Sequence, residues 1–178
     1  MKKRMIFGSI VAVIAIAATI GIMKFLQYGR SGIELHDMLL YLKDNSSEEI
    51  NDFGNYVNEE VDLSYLSGWY LIEGGQERTK ELRETFENRK EDIQSKNLKY
   101  DDSIKFKEAM IDQIDDSLAI LDVVDKYGFS SNEEDYVIGR TNSEFDEKVE
   151  KFNETTKYLT KLIDEGIKRL NSNYIKTV

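Results

Sequence analysis

The sequence predicts an all-α protein in which an N-terminal transmembrane helix precedes an up-and-down antiparallel bundle of four helices. Three observations support this prediction: an uncharged apolar run near the N-terminus, apolar residues that return every three or four positions afterwards, and the absence of proline. Because proline is the residue that most often interrupts helical backbone, a chain of 178 residues without it favours long continuous helices. The length allows one ordinary domain besides the N-terminal segment.

The apolar run extends from Met5 to Met23 and contains no charged residue. At about 1.5 Å of rise per residue, a helix of this length covers close to the roughly 30 Å of a membrane hydrocarbon core. We expect residues 5–27 to form a membrane anchor, with residues 1–4 as a basic cytoplasmic tail and the rest of the chain outside the plasma membrane. The predicted anchor side chains are Met5, Ile6, Phe7, Ile10, Val11, Val13, Ile14, Ile16, Ile20 and Ile22.

A cleaved export signal is the alternative interpretation of the same run. Ala15-Ile16-Ala17 matches the small-x-small pattern at which such signals are cut, and cleavage would yield a secreted helical protein. Cutting there would leave an apolar stretch, residues 18–23, at the N-terminus of an acidic domain, and the removed leader would be short. A retained anchor is therefore the preferred prediction.

The remainder of the chain is strongly acidic. Without residues 1–27 it has 20 basic against 34 acidic residues, which is a formal charge of −14. Such a charge repels the phosphates of nucleic acids and of anionic lipid headgroups, so we expect no nucleic-acid binding. A basic protein partner, a polyamine or a divalent cation would instead be attracted.

Capping boxes and apolar stripes divide the exported part into a short linking helix, residues 28–45, and a bundle domain, residues 46–178. Asn45-Ser46-Ser47 is expected to end the linking helix. Ser46-Ser47-Glu48-Glu49 matches a capping box that begins a helix of about seven turns, bent near residues 62–64 and ending at Gly74-Gly75. Its expected core-facing residues are Ile50, Phe53, Val57, Val61, Tyr65, Trp69 and Ile72.

Three later segments complete the predicted bundle. Residues 76–100 have a sparse apolar stripe and dense mixed charge, which is typical of an exposed helix with ion pairs four positions apart. Asp101-Asp102-Ser103 can cap the most apolar helix, which ends at Tyr127-Gly128. Residues 128–143 fit an ordered loop, a short helix or a small strand around residues 136–138, and a last helix is predicted from Ser143 almost to the C-terminus.

An extended coiled coil that requires a second chain is the rival arrangement. Apolar residues do not keep a strict seven-residue repeat along these segments, so an intramolecular bundle is preferred. The oligomeric state is left open by the sequence.

Signals for catalysis or cofactor binding are scarce. The chain has no cysteine and a single histidine, His36, which excludes disulfides, thiolate metal sites, two-histidine zinc motifs and di-iron bundle sites. We expect no enzymatic activity and no cofactor, and we interpret His36 as a polar residue near the membrane interface. A series of carboxylates on one predicted helix is interpreted as its solvated face: Asp112, Asp115, Asp116, Asp122 and Asp125.

Trp69, Tyr70 and Tyr136 form the candidate partner or ligand surface. Trp69 and Tyr70 lie in the only aromatic cluster bounded by glycines, and aromatic side chains are favoured at protein contacts. Core packing before a helix end is the alternative role for this cluster. The expected function is protein binding outside the membrane, as an accessory subunit of an envelope assembly or an immunity-like protector, with small-ligand or cation sensing through a partner as the alternative.

Overall fold

The computed structural model describes residues 30–61, 66, 68–128 and 138–175. These residues are helical almost throughout and contain no strand, so the all-α prediction is confirmed for the described part of the chain. The predicted anchor, residues 5–27, lies outside the described residues. Within the described ranges, no helix has both the length and the apolarity needed to cross a membrane.

Four α-helices make up most of the described chain: α1 is Arg30–Asn55, α2 is Gly75–Ser95, α3 is Asp101–Tyr127 and α4 is Ile138–Ile175. Between α1 and α2 lie a π-helical segment, Tyr56–Val61, and one turn of 3-10 helix, Trp69–Leu71. The predicted start of a helix directly after Gly74-Gly75, the start at Asp101 and the end at Tyr127-Gly128 are confirmed. The segment predicted to be helical from residue 76 to residue 100 is helical only as far as Ser95.

Helix α1 is continuous through Asn45-Ser46-Ser47, where the sequence predicted an end. That prediction is wrong because Asn and Ser reduce helix propensity by less than about 0.7 kcal/mol each. Leu42 before this stretch and Ile50 after it are both buried in the core, and unbroken helix keeps them on one side. Helix α1 therefore crosses the boundary predicted between the linking helix and the bundle domain.

The seven-turn helix predicted from Ser46 ends early. Helix α1 changes at Asn55 into the π-helical segment, whose Tyr56, Val57 and Val61 are all buried. The wider π turn lets the adjacent Tyr56 and Val57 both face the core. Ile72, expected in the core by the helical stripe, is instead 40% exposed. The bend predicted near residues 62–64 lies outside the described residues.

Helix α4 begins at Ile138, five positions before the predicted Ser143. Ile138 is helical, so a strand does not include it, and residues 129–137 lie outside the described residues. The buried residues of α4 follow the predicted stripe, with apolar members at Phe145, Phe152, Leu159, Ile163 and Leu170.

Each helix contacts the preceding one in the opposite chain direction, as side-chain pairs show. Between α1 and α2 the pairs are Glu49 with Arg89 and Asp52 with Arg78; between α2 and α3, Arg83 with Asp122 and Lys90 with Asp115; between α3 and α4, Asp102 with Arg169 and Lys126 with Glu144. In every pairing, higher numbers on one helix meet lower numbers on the next.

One aromatic group joins three helices in a common core. Phe53 of α1 is fully buried, and its ring lies edge-on to Phe86 of α2 and Phe152 of α4, with centroids 5.0 Å and 5.4 Å away. Burying such a side chain contributes about 1.5–3 kcal/mol. Helix α3 joins α4 through a buried hydrogen bond in which the Gln113 amide donates to the Thr156 hydroxyl at 2.9 Å.

Two residues assigned to solvent or to an interface are inside the fold. Asp116, predicted on the solvated face of α3, is 3% exposed, because α4 covers it: Lys151 Nζ lies 2.7 Å from its carboxylate and the Thr155 hydroxyl donates to it. His36 is also 3% exposed, with Nδ1 3.8 Å from the Asp37 carboxylate. The solvated-face prediction holds for the other four carboxylates, which are exposed.

Because successive helices run in opposite directions, their termini lie at two ends of the fold. We name these ends the base and the tip. At the base, the Glu34 carboxylate accepts hydrogen bonds from the backbone N–H groups of Lys99 and Tyr100, and Asp102 pairs with Arg169. At the tip, the 3-10 turn lies against the end of α3, and the start of α4 pairs with α3. The contacts there are the Tyr70 N–H to the Gly128 carbonyl at 3.0 Å and Lys126 to Glu144 at 2.9 Å.

Candidate functional site

The 3-10 turn at the tip is bracketed by two glycines in the left-handed backbone region. Gly68 has φ 114° and Gly74 has φ 85°, conformations that a residue with a Cβ adopts only with strain. The chain between them makes one tight turn and then enters α2 at Gly75. This local geometry determines which way the four residues from Trp69 to Ile72 face.

Trp69 faces inward and is buried. Its indole Nε1–H donates to the Thr79 hydroxyl at 3.0 Å, and that hydroxyl donates to the Gly75 carbonyl at 2.9 Å. Because a hydroxyl has a single hydrogen, the Tyr56 hydroxyl, 3.0 Å away, must be the donor in its contact with Thr79. Burial raises the pKa of Tyr56 and keeps this donor protonated.

The predicted surface residues therefore have different surroundings. Trp69 is a core residue, as the alternative interpretation of its cluster proposed. Tyr70 is half-buried at the edge of the tip, and its hydroxyl donates to the Asp125 carboxylate. Tyr136 lies outside the described residues.

Leu71 and Ile72, the next two residues, face solvent and are 67% and 40% exposed. Among the described residues they are two of three large hydrophobic side chains with such exposure. A single exposed hydrophobic side chain is ordinary on a protein surface. Two adjacent ones at the end of a fold form an apolar patch that a partner can cover.

Carboxylates lie on the segments next to this apolar pair. Glu73 follows it in the chain and is exposed, and Asp122 and Asp125 lie on the last turns of α3, whose end contacts the 3-10 turn. We name these five residues, Leu71, Ile72, Glu73, Asp122 and Asp125, the tip patch. The tip patch combines two apolar side chains with three carboxylates.

Arg83 of α2 compensates part of the acidity of the tip patch. Its guanidinium pairs with Asp122 at 2.9 Å and also with Asp125. One cation thus serves two carboxylates, and the patch keeps an excess of negative charge. Burial raises the pKa of Asp125.

A second polar group fixes the start of α4 beside the tip patch. The Glu144 carboxylate accepts hydrogen bonds from the Tyr127 hydroxyl at 2.6 Å and from Lys126 Nζ at 2.9 Å. The Tyr127 hydrogen bond, followed by that of Lys126, lowers the pKa of Glu144. Side-chain contacts therefore join α2 to α3 and α3 to α4 at the tip.

The chemistry available at the tip patch is that of contact. Apolar side chains can be buried by a partner, and carboxylates can accept hydrogen bonds from its cations. In the part of the chain that the structure describes, no three potential metal ligands come together in a group able to hold a metal ion.

Sequence periodicity missed the exposed pair. Steps of three and four placed Trp69 and Ile72 on one helical face, and such a face exists only if the helix continues through both residues. Gly68 and Gly74 were the available signal, since glycines on both sides of five residues indicate a turn.

Comparisons with models of known protein families, with curated proteins and with solved structures gave no match. Function is therefore inferred from the geometry and charge of the described residues.

Proposed function

We propose that this chain is a membrane-anchored, non-enzymatic protein of the cell exterior that binds a basic protein partner through the tip patch. In this proposal, residues 5–27 remain in the plasma membrane and the four helices form an up-and-down antiparallel bundle outside it. The uncharged run after a basic tail supports the anchor. The opposite directions of successive helices support the bundle.

The exposure of Leu71 and Ile72 among carboxylates is the observation that carries the proposal. Buried apolar anchors supply much of the binding energy in protein interfaces, and complementary charge speeds association and selects partners. A partner with an apolar pocket rimmed by Lys or Arg would satisfy both parts of the tip patch. Two roles fit such binding: accessory subunit of an envelope assembly, or protector against a basic toxin.

Capture of a partner from native membranes tests the proposal. The full chain is extracted in mild detergent after crosslinking, and we expect a stoichiometric protein partner to be recovered with it. The double variant Leu71→Gln, Ile72→Gln should reduce that recovery at least tenfold, since truncated anchor residues cost more than about 1.4 kcal/mol of binding energy.

Tyr158→Gln is the matched control for this experiment. Tyr158 is 48% exposed, but it lines a groove formed by base residues, so its replacement should leave partner recovery unchanged. Failure to recover any stoichiometric partner would refute the proposal. Equal recovery by the tip-patch variant and the native chain would remove the tip patch as the binding surface.

A further inference from the structure

A groove at the base is lined by more cations than carboxylates, whereas the tip patch has an excess of carboxylates. It has a volume of about 370 Å³, within the range of pockets that hold organic ligands. Leu35 of α1, Phe106 of α3 and Leu162 of α4 contribute apolar lining, so three helices form one groove. Leu35 and Phe106 are themselves buried core residues and give the groove a firm floor.

Cationic side chains line the same groove. Arg169 pairs with Asp102, and Lys161 Nζ lies 3.8 Å from the Glu165 carboxylate. Lys105 also lines the groove and makes no ion pair with any other residue that the structure describes. The groove therefore has three cations against two carboxylates, in a protein with a large acidic excess.

The fold separates charge along its length. The described segments at the base, residues 30–40, 94–108 and 158–175, have eight basic and seven acidic residues. The other described residues have 11 basic and 23 acidic residues. Exposed charges more than about 10 Å apart are largely screened at 0.1 M salt, so the repulsion of phosphate expected from the total charge does not extend to the base.

The base is also the end nearest to the predicted membrane span. Leu35 lies eight residues after residue 27, where the predicted anchor ends. Eight residues cover about 12 Å as a helix and no more than about 28 Å when fully extended. The groove is thus within reach of the headgroup region if the anchor is retained.

We propose that the base groove binds an anionic phospholipid of the membrane that holds the anchor. The lipid phosphate lies beside Lys105 and Lys161, and the glycerol and upper acyl segment pack on Phe106 and Leu162. This proposal rests on the anchor of the proposed function, but it concerns the opposite end of the fold from the tip patch.

Lipid titration of the full chain in neutral detergent micelles provides the test. Phosphatidylglycerol should raise the melting temperature and remain bound in native mass spectrometry, and phosphatidylcholine should do neither. Lys105→Gln combined with Lys161→Gln should weaken phosphatidylglycerol binding about tenfold. Lys80→Gln, an exposed lysine paired four positions along α2, is the matched control and should bind as the native chain does.

Gly166 allows a second variant that blocks the groove by size. A Cβ at Gly166 would meet methyl groups of Leu35 and Leu39 at 3.5–3.8 Å, which is ordinary contact, so Gly166→Ala should fold and bind lipid. Gly166→Leu should fill the groove and abolish the lipid-dependent rise in melting temperature. The lysine variants decide the question if the leucine variant does not fold.

Photocrosslinking identifies the occupant directly in membranes. Tyr158 lines the groove and is partly exposed, so p-benzoylphenylalanine in its place should form an adduct with the mass of phosphatidylglycerol. Crosslinks to phosphatidylcholine at equal yield would overturn the proposal.

Other outcomes separate this proposal from the proposed function. Release of the full chain from membranes by alkaline carbonate would overturn both. A chain that stays in membranes and captures its partner, yet responds equally to both lipids, overturns the lipid proposal alone. Equal stabilisation by inorganic phosphate, or by a water-soluble metabolite that Gly166→Leu excludes, also overturns it, and the latter result would support the sensing alternative.

Discussion

At the residue scale, the hydroxyl of Thr79 joins the π-helical segment, the 3-10 turn and the start of α2. It donates to the Gly75 carbonyl and accepts from the Trp69 indole and the Tyr56 hydroxyl, so its hydrogen and both lone pairs are used. All of these groups are buried, where an unsatisfied donor costs far more than in water. Thr79 therefore supplies the hydrogen-bond acceptor that the inward-facing Trp69 needs.

Thr79→Val should destabilise the protein by about 2–4 kcal/mol, because the same shape is kept while two buried donors lose their acceptor. Thr79→Ser retains the hydroxyl and serves as the control, with a smaller loss from one methyl group. Equilibrium unfolding of the full chain in detergent, followed by the fluorescence of the single tryptophan, measures both variants. Equal stabilities of the Val and Ser variants would contradict the role assigned to the hydroxyl.

At the scale of elements, the connection from α1 to α2 determines the tip. A π-helical segment and a 3-10 turn replace the predicted helix, and Gly75 begins α2 directly against the turn. A Cβ at Gly75 would overlap the Trp69 carbonyl oxygen, whereas Gly74 has open space around it and a φ of 85°. The two adjacent glycines are thus required for different reasons, close approach and backbone conformation.

Gly75→Ala should displace the 3-10 turn and shift the Trp69 emission maximum, in addition to lowering stability by about 1–3 kcal/mol. Gly74→Ala should cost about 1–2 kcal/mol through its left-handed backbone and leave the emission maximum unchanged. Fluorescence spectra and denaturant midpoints of both variants are the measurements. A shifted spectrum in Gly74→Ala, or an unshifted one in Gly75→Ala, would contradict this assignment.

For the whole molecule, ion pairs hold helices together while excess acid accumulates away from the base. Two carboxylates that contact a neighbouring helix have lowered pKa values: Glu144, through the Tyr127 and then the Lys126 hydrogen bond, and Asp92, chiefly through a Tyr41 hydrogen bond. A lowered pKa means that the native state binds the proton less readily than the unfolded state. The resulting stability is present above the ordinary value, 4.5 for Glu144, and is lost as pH falls through the native pKa.

Glu144→Gln should therefore make the denaturant midpoint fall less steeply than that of the native chain between about pH 6 and pH 3. The native chain loses the Glu144 contribution on protonation, and the variant has none to lose. Glu147→Gln, on the same helix and with a side chain that is 77% exposed, is the control and should keep the native pH dependence. Identical pH profiles for Glu144→Gln and the native chain would contradict the assigned contact.

Much of the helical content, but less of the candidate site, was predictable. The start of α2 and both borders of α3 follow from glycines, from the polar residues at 101–103 and from apolar steps close in the chain. The end of α2 at Ser95 was not predicted, and no side-chain cap is formed at the start of either helix. The end of α1 was missed because the predicted stripe from Ile50 to Ile72 fits one long helix as well as it fits a broken connection. The tip patch was missed for the same reason, although the glycine-bounded cluster beside it was noticed.

The sequence alone determined that the described part of this protein is helical, where α2 begins, where α3 begins and ends, and that the chain after residue 27 is acidic. These properties depend on interactions between residues about four positions apart or on simple counts. Packing decided which side chains are buried: Trp69 lies inside, Leu71 lies outside, and Asp116 is covered by α4. Packing also placed the basic groove and the acidic tip at opposite ends of the fold. Those outcomes arise from contacts between residues tens of positions apart, such as Gln113 and Thr156, and no local pattern encodes them.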